Sequence, residues 1–150
     1  MSVNHMNIRV TFELPEDDSG YPPASSERLW AKPLPNGNYE LDNSPFYVAG
    51  VSTGDEVEVD DVDGELLFRG IVVASGNSTF RLFLFDPTTS DTVRADLAAL
   101  GCRSEFNQDV GVIAVEIPAS LQIQPFLDYI MAAKEADLID IDEGVLRHQI

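Results

Sequence analysis

The side chains best placed to do chemistry form an acidic run in the middle of the chain. Seven of the eleven residues from Asp55 to Glu65 are Asp or Glu, and none is Lys or Arg. The core Asp61-Val62-Asp63-Gly64 matches part of an EF-hand loop, which binds calcium through carboxylates at fixed positions. The first and twelfth positions of that loop would be Val59 and Gly70, so both essential carboxylates are missing. We therefore interpret the run as a solvated hairpin tip and predict no metal site.

A second acidic cluster lies near the end of the chain, with five acids between Glu135 and Glu143. Like charges at this density repel one another, so the two clusters either meet a basic partner or form solvated faces. The sequence leaves both interpretations open. The acids that we predict to contact such a partner are Glu56, Glu58, Asp60, Asp61, Asp63, Asp140 and Asp142.

Two arginines, Arg69 and Arg81, lie on either side of the turn Ser75-Gly76-Asn77-Ser78, in a chain with only nine Lys and Arg residues. If both faced one cleft, their guanidinium groups could bind a carboxylate or a phosphate through paired hydrogen bonds. In the competing interpretation each arginine pairs with one of the many acids. The candidate residues of this alternative anion site are Trp30, Arg69, Ser75 and Arg81.

No residue is predicted to be catalytic. The serines of the 75–78 turn lack the Gly-x-Ser-x-Gly pattern of a nucleophile elbow, and a strand rather than a helix is expected to follow them. Cys102 is the single cysteine, which excludes an internal disulfide and a multi-cysteine zinc site. Its apolar context is typical of a small buried hydrophobe, and both histidines, His5 and His148, stand near the chain ends. We predict no cofactor.

The charge balance narrows the class of partner. The 150 residues include 26 acids and 9 bases, for a formal net charge of −17. Such a surface disfavours binding to nucleic acid phosphates and to anionic lipid, because both require Lys and Arg. A basic protein partner fits this charge, and so does an acidic surface that serves only solubility. No apolar run is long enough to span a bilayer and no leader pattern opens the chain, which predicts a cytoplasmic protein.

The first half of the chain has the pattern of short strands separated by turns. Alternating or β-branched residues predict strands over Asn7–Leu14, Glu27–Pro35, Asn38–Leu41, Asp55–Asp61 and Leu66–Ala74. Asn36-Gly37 and Asp63-Gly64 are strong signals for tight hairpin turns. Between them, 42–54 is predicted to be either a short helical turn or a crossover loop.

The second half alternates strands and helices. Strands are predicted over Thr79–Phe85, Cys102–Phe106, Gly111–Ile117 and, at a sheet edge, Leu138–Asp142. A first helix follows N-cap candidates at 88–90 and ends before Gly101. A second helix begins at Gln124-Pro125. Its predicted buried stripe comprises Phe126, Leu127, Ile130, Met131 and Ala133. This βαββαβ order is that of the ferredoxin-like fold.

We therefore predict an α+β fold in two parts. Residues 7–74 form an all-β subdomain, a curved antiparallel sheet or small barrel. It packs on a ferredoxin-like subdomain at residues 79–142, and 143–150 form a C-terminal tail.

Several landmarks together carry a resemblance to a known family. They are Leu29-Trp30-Ala31, Tyr39 to Pro45-Phe46, Gly50-Val51-Ser52 with Gly54-Asp55, Ser75-Gly76 with Ser78-Thr79-Phe80-Arg81, Leu100-Gly101-Cys102 and Val115-Glu116-Ile117-Pro118. In these the chain resembles DUF4265, a bacterial family of unknown function, over about Glu27 to Arg147. The resemblance implies a small cytoplasmic protein with these landmarks in this order. It implies no activity and no site residues.

From these features we predict a non-enzymatic acidic module that binds a basic protein. Its most concrete form is an immunity or antitoxin-like inhibitor that covers a basic site on a cognate toxin, since complementary charge speeds capture and suppresses wrong partners. The alternative is a regulatory domain that binds a small anion between the two halves. An enzyme using that same cleft ranks third. The sequence leaves the oligomeric state open.

Overall fold

The computed structural model describes residues 8–15 and 25–150. These residues form a mixed α/β structure with two sheets and two helices. In the described part of the chain, neither helix has the length and apolar character needed to cross a membrane.

The first sheet has five strands: β1 (Ile8–Glu13), β2 (Ser26–Pro33), β3 (Tyr39–Leu41), β4 (Glu56–Val62) and β5 (Glu65–Val73). Each strand pairs with the next in antiparallel fashion. The strands follow a ring, yet β1 meets β5 in parallel over only two residue pairs, Val10 with Leu66 and Thr11 with Leu67. Of the two predicted alternatives, a curved sheet therefore describes this half better than a small barrel.

The predicted hairpin turn between β4 and β5 is confirmed. Asp63 and Gly64 both have positive φ, at 54° and 89°. A two-residue hairpin turn needs positive φ at both positions, because its backbone then follows the right-handed twist of the flanking strands. Gly64 donates its backbone N–H to the Asp61 carboxylate at 2.9 Å, which fixes the turn from the side of β4.

The second sheet contains β6 (Ser78–Leu84), β7 (Arg103–Asn107), β8 (Val112–Ile117) and β9 (Ile139–Val145). Its order is β7-β8-β6-β9, with every pairing antiparallel, so β9 lies at an edge as predicted. The strand extends beyond the predicted end at Asp142, because its register against β6 continues to a pairing of Val145 with Thr79.

The two helices are α1 (Ser90–Ala99) and α2 (Gln124–Glu135). Helix α1 ends before Gly101, whose φ of +93° matches the glycine expected after a helix. The N-cap is Thr89, one of the three predicted candidates, although its side chain forms no capping hydrogen bond with the helix. The Asp86 carboxylate instead accepts the Thr88 N–H and begins a short 3₁₀ turn ahead of the helix.

One prediction about the core of α2 is wrong. Phe126 and Ile130 are buried one helical turn apart, but Met131 is 49% exposed. A step of one residue rotates the side chain about 100° around the helix, so Met131 leaves the face that Ile130 presents to the sheet.

Each half has its own hydrophobic cluster. Val10, Leu29, Leu41 and Val57 are among the residues of the first cluster. The second packs α1 and α2 onto the other sheet and includes Leu82, Leu97, Ile113, Phe126 and Ile130. The clusters fall within residues 10–57 and 80–139, in line with the predicted subdomain division, which itself stays a prediction.

Candidate functional site

Strands β4 and β5 form an acidic hairpin (residues 56–73) that brings together five of the predicted partner-binding residues: Glu56, Glu58, Asp60, Asp61 and Asp63. Asp60, Asp61 and Asp63 at the tip end of the hairpin are exposed. This part of the site could be predicted because alternation along a strand and the Asp-Gly turn are local patterns.

Two of these predicted acids, Glu58 and Asp60, have the same base nearby. Arg69 on β5 lies 4.0 Å from a Glu58 carboxylate oxygen and 3.6 Å from one of Asp60. All three side chains are about half exposed or more, so the two ion pairs are screened by water and salt. Glu65 of the same hairpin pairs with Arg28 of β2 at 3.8 Å. Arg69 and Arg28 therefore offset only part of the negative charge of the acidic hairpin.

Glu56 has an internal role at the other end of the hairpin. Its carboxylate accepts hydrogen bonds from the side-chain amides of Asn38 at 2.8 Å and Asn36 at 2.9 Å. These bonds favour the charged form and lower the pKa of Glu56. Glu56 thereby ties the turn between β2 and β3 to β4.

The two other predicted contact acids lie on the second sheet. Asp140 on β9 forms an exposed ion pair with Lys134 at 3.7 Å. Asp142 accepts hydrogen bonds from Arg81 at 2.9 Å from Nε and 2.7 Å from Nη2. Because the Arg81 side chain is 4% exposed, Asp142 is the counterion of a buried charge. The structure thus separates Asp142 in role from the acids of the hairpin.

The residues of the alternative anion site each have other partners. Arg69 and Arg81 lie on different sheets and bind different acids, which agrees with the interpretation that each arginine serves an ion pair. Ser75 donates its hydroxyl to the Thr53 carbonyl at 2.8 Å. The Trp30 ring lies under the Arg9 guanidinium, 4.8 Å from its carbon. An anion that bound to any of these four residues would have to compete with the contacts they already make.

The structure also contains a polar junction that sequence reasoning missed. It is built around the junction loop, residues 42–55, which has no regular secondary structure and corresponds to the crossover loop that was one of two predicted forms. The Glu27 carboxylate accepts three consecutive backbone N–H groups of this loop, from Phe46 at 2.6 Å, Tyr47 at 3.0 Å and Val48 at 2.9 Å. The first sheet holds the loop through these bonds.

Arg81 of β6 has a buried side chain that binds the same loop from the second half of the chain. Arg81 donates to the carbonyls of Val48 at 2.7 Å and Tyr47 at 3.2 Å. Strand β9 passes close over this guanidinium, because a Cβ at Gly144 would lie 2.8 Å from Arg81 Nη1. The Gly144 carbonyl in turn accepts the Gly50 N–H at 3.0 Å.

A buried ion pair closes the junction. Asp55 is fully buried, and its carboxylate accepts hydrogen bonds from Arg147 at 2.5 and 2.8 Å. It also accepts the backbone N–H groups of Ser52 and Ser75, each at 2.9 Å. Burial alone would raise the pKa of Asp55, but these hydrogen bonds and the charge of Arg147 lower it below its ordinary value of 3.8. The predicted tail, 143–150, thus contributes Arg147 to this buried site.

A serine and a histidine also meet in the junction. Ser78 Oγ lies 2.6 Å from His148 Nδ1, and His148 Nε2 lies 2.8 Å from the Pro118 carbonyl. A carbonyl only accepts, so Nε2 carries a proton, and in a neutral imidazole Nδ1 then accepts the serine hydroxyl. Ser78 is fully buried and its Oγ also accepts the Arg147 N–H at 2.9 Å. These contacts attach the C-terminal residues Arg147 and His148 to the start of β6.

Cys102 is 5% exposed and belongs to the second hydrophobic cluster, as its apolar sequence context predicted. Burial and the charge of Glu116 raise the pKa of the thiol to about 11. The thiolate is the nucleophilic form of cysteine, and this raised pKa keeps Cys102 mainly in its thiol form near neutral pH. Among residues 8–15 and 25–150, no group of three or more His, Cys, Asp or Glu side chains is arranged to hold a metal ion.

The junction left only a weak signal in the sequence. Arg81 interrupts an otherwise apolar and hydroxyl-bearing strand, and a charge at a core position needs a buried partner. The identity of that partner, Asp142, and the pairing of Asp55 with Arg147 depend on contacts 61 and 92 residues apart. Neither pairing follows from local pattern.

Comparison with known proteins agrees with the resemblance found in the sequence. The sequence model of a family described as a domain of unknown function, DUF4265, matches residues 27–141. A crystal structure of a hypothetical protein from Neisseria gonorrhoeae superposes with a TM-score of 0.81 at 20% identity, covering 98% of this chain and 100% of that one. At this identity the likeness concerns the fold alone. No curated protein matches the chain.

Proposed function

We propose that this chain, which belongs to the DUF4265 family of domains of unknown function, is a non-enzymatic acidic module that binds a basic protein. The observation that carries the proposal is the acidic hairpin, on which the exposed acids are only partly neutralised by two bases, Arg69 on the hairpin and Arg28 on β2. A surface with one sign of charge attracts an oppositely charged partner over a Debye length of about 10 Å and so speeds association.

The most concrete form of the proposal is an immunity or antitoxin-like inhibitor in the bacterial cytoplasm. Its acids would cover a basic site on a cognate toxin. We assign the contact surface to Glu58, Asp60, Asp61 and Asp63, with Glu56 at its edge and Asp140 as a separate outlying contact. Asp142 adds no free negative charge to this contact surface, because its carboxylate is bound to Arg81.

Absence of enzymatic activity is part of the proposal. Its support is the state of the nucleophiles, since Ser78 and Cys102 are both buried and Ser78 is bound to His148. The alternative function, a regulatory domain with a small anion between the halves, has less support because Arg81 already binds Asp142 and two loop carbonyls.

We also propose the ferredoxin-like assignment for residues 79–142. Its support is the chain order β6-α1-β7-β8-α2-β9 together with a sheet order of β7-β8-β6-β9. The curved first sheet would then be an additional layer that presents the hairpin.

The experiment that tests the function is affinity capture of the tagged chain from the lysate of its own host, at low and at high salt, with mass spectrometry. The proposal predicts a stoichiometric basic protein that is released as salt rises, because exposed charge contacts are screened. Retention of nothing at either salt would contradict it. A partner that stays bound through high salt with no charge dependence would contradict the electrostatic basis.

A further inference from the structure

A cavity of about 200 Å³, partly open to solvent, lies between α1, α2 and the start of β9, away from the acidic hairpin. Its walls are mostly apolar and include Val93 of α1, Ala133 of α2, and Leu138 with Ile139 at β9. An apolar cavity of about 150 Å³ is large enough to bind benzene. The space here therefore suits one aromatic ring or a branched alkyl group with a short extension.

The polar groups that line this cavity are the Asp96 carboxylate and the hydroxyls of Tyr129, Thr89 and Thr92. Asp96 alone among them carries a charge, and its side chain is exposed at the mouth. Tyr129 donates its hydroxyl to Asp96 Oδ2 at 2.8 Å. Burial and the neighbouring Asp96 raise the pKa of Tyr129, so the phenol keeps its proton and its oxygen is left with free lone pairs. In the part of the chain that the structure describes, no Lys, Arg or His lies within ion-pair distance of Asp96.

We propose that this cavity binds a primary ammonium group carried on a short apolar stem. The ammonium would donate to Asp96 and to the Tyr129 oxygen, and the stem would fill the space between Val93, Ala133 and Leu138. An ammonium has three donors and no acceptor, which matches a carboxylate beside a phenol oxygen. This chemistry could come from a free arylalkylamine or from a lysine side chain of a peptide.

The Asp96 carboxylate at the cavity favours a ligand with a positive charge. An anion of the same shape would meet the uncompensated Asp96 carboxylate, which disfavours it electrostatically. A neutral alcohol would fill the space and donate one hydrogen bond without neutralising the charge. Affinity should therefore fall in the order amine, alcohol, acid for stems of equal size.

The test uses 2-phenylethylamine, 2-phenylethanol and phenylacetate as probes, with Nα-acetyl-lysine N-methylamide as a mimic of a lysine side chain. Binding to the full chain is followed by chemical-shift changes of the backbone amides of α1 and α2. We expect saturable shifts around Val93, Tyr129 and Leu138 with the amine, weaker ones with the alcohol and none with the acid. Tighter binding of the lysine mimic than of the free amine would identify a peptide as the source.

Two variants separate this site from nonspecific attraction to an acidic protein. Asp96→Asn should weaken amine binding about tenfold or more, since a hydrogen bond to a charged group is lost while the asparagine oxygen still accepts from Tyr129. Asp128→Asn removes one charge from an exposed position of α2 and should leave binding unchanged. Equal effects of both variants, shifts spread over the whole surface, or binding of phenylacetate as tight as that of the amine would each overturn the proposal.

Discussion

At the scale of single residues, Asp55 shows how position in the fold changes the meaning of a charge. It opens the acidic run that the sequence groups as one surface, yet it is fully buried while Asp60, five residues later, is exposed. The difference arises from Arg147, which pairs with Asp55 across 92 residues of sequence. One member of the run thus stabilises the fold, and its neighbours are free to meet a partner.

We predict that Asp55→Asn destabilises the protein by about 3 kcal/mol, because removing one member of a buried pair leaves the other charge uncompensated. Urea unfolding at neutral pH measures the change. Asp60→Asn, which removes an exposed acid of the same run, is the matched control and should have little effect. Similar unfolding free energies for the two variants would show that Asp55 is not a structural acid.

The pH dependence of stability follows from the lowered pKa of Asp55. Its folded pKa lies below the ordinary value of 3.8, so the unfolded state binds this proton first as pH falls. The contribution of Asp55 is therefore complete above pH 3.8 and is lost as pH falls through the folded pKa.

The gap in unfolding free energy between wild type and Asp55→Asn should accordingly be full at about pH 6 and should narrow below 3.8. Urea titrations at several pH values in this window measure it. A gap that stays constant down to the acid transition would mean that Asp55 has no lowered pKa.

At the scale of elements, local pattern predicted most strands and both helices. Asn-Gly and Asp-Gly dipeptides marked the hairpin turns, and alternation marked the strands, because these signals act between neighbouring residues. For the junction loop, the sequence predicted either a helical turn or a crossover loop. For β9, it predicted an end at Asp142 that is too early. Both depend on distant side chains, the loop on Glu27 and Arg81 and the strand on its pairing with β6.

The order of the junction loop depends on the Glu27 carboxylate. Glu27→Gln should lower protection of the Phe46, Tyr47 and Val48 amides from hydrogen exchange, because a neutral amide group accepts hydrogen bonds more weakly than a carboxylate. Native-state hydrogen exchange measures it, with an expected loss of about 1–3 kcal/mol in local opening free energy.

Glu13→Gln serves as the control for this variant, since Glu13 is an exposed acid on β1 of the same sheet. It should leave the three loop amides protected. If both variants, or neither, changed the exchange of those amides, Glu27 would not be what orders the junction loop.

At the scale of the whole molecule, the net charge of −17 is distributed over sites with different roles. Asp55 and Asp142 neutralise buried arginines, and Glu27 orders a loop. Among the described residues, the exposed acids of the hairpin form ion pairs with Arg69 and Arg28. Composition predicted the sign of a partner's charge and local pattern predicted the hairpin, but only the fold separates structural acids from surface acids.

We propose that the acidic hairpin is the contact surface for a basic protein. The direct test is to repeat lysate capture with two variants of equal charge. One carries Asp60→Asn, Asp61→Asn and Asp63→Asn, and the control carries Asp109→Asn, Asp128→Asn and Glu135→Gln at exposed sites on the other half. We expect the hairpin variant to lose a salt-sensitive basic partner that the wild type and the control retain. Equal retention by both variants would show that the hairpin is not the contact surface, and equal loss would show that only net charge matters.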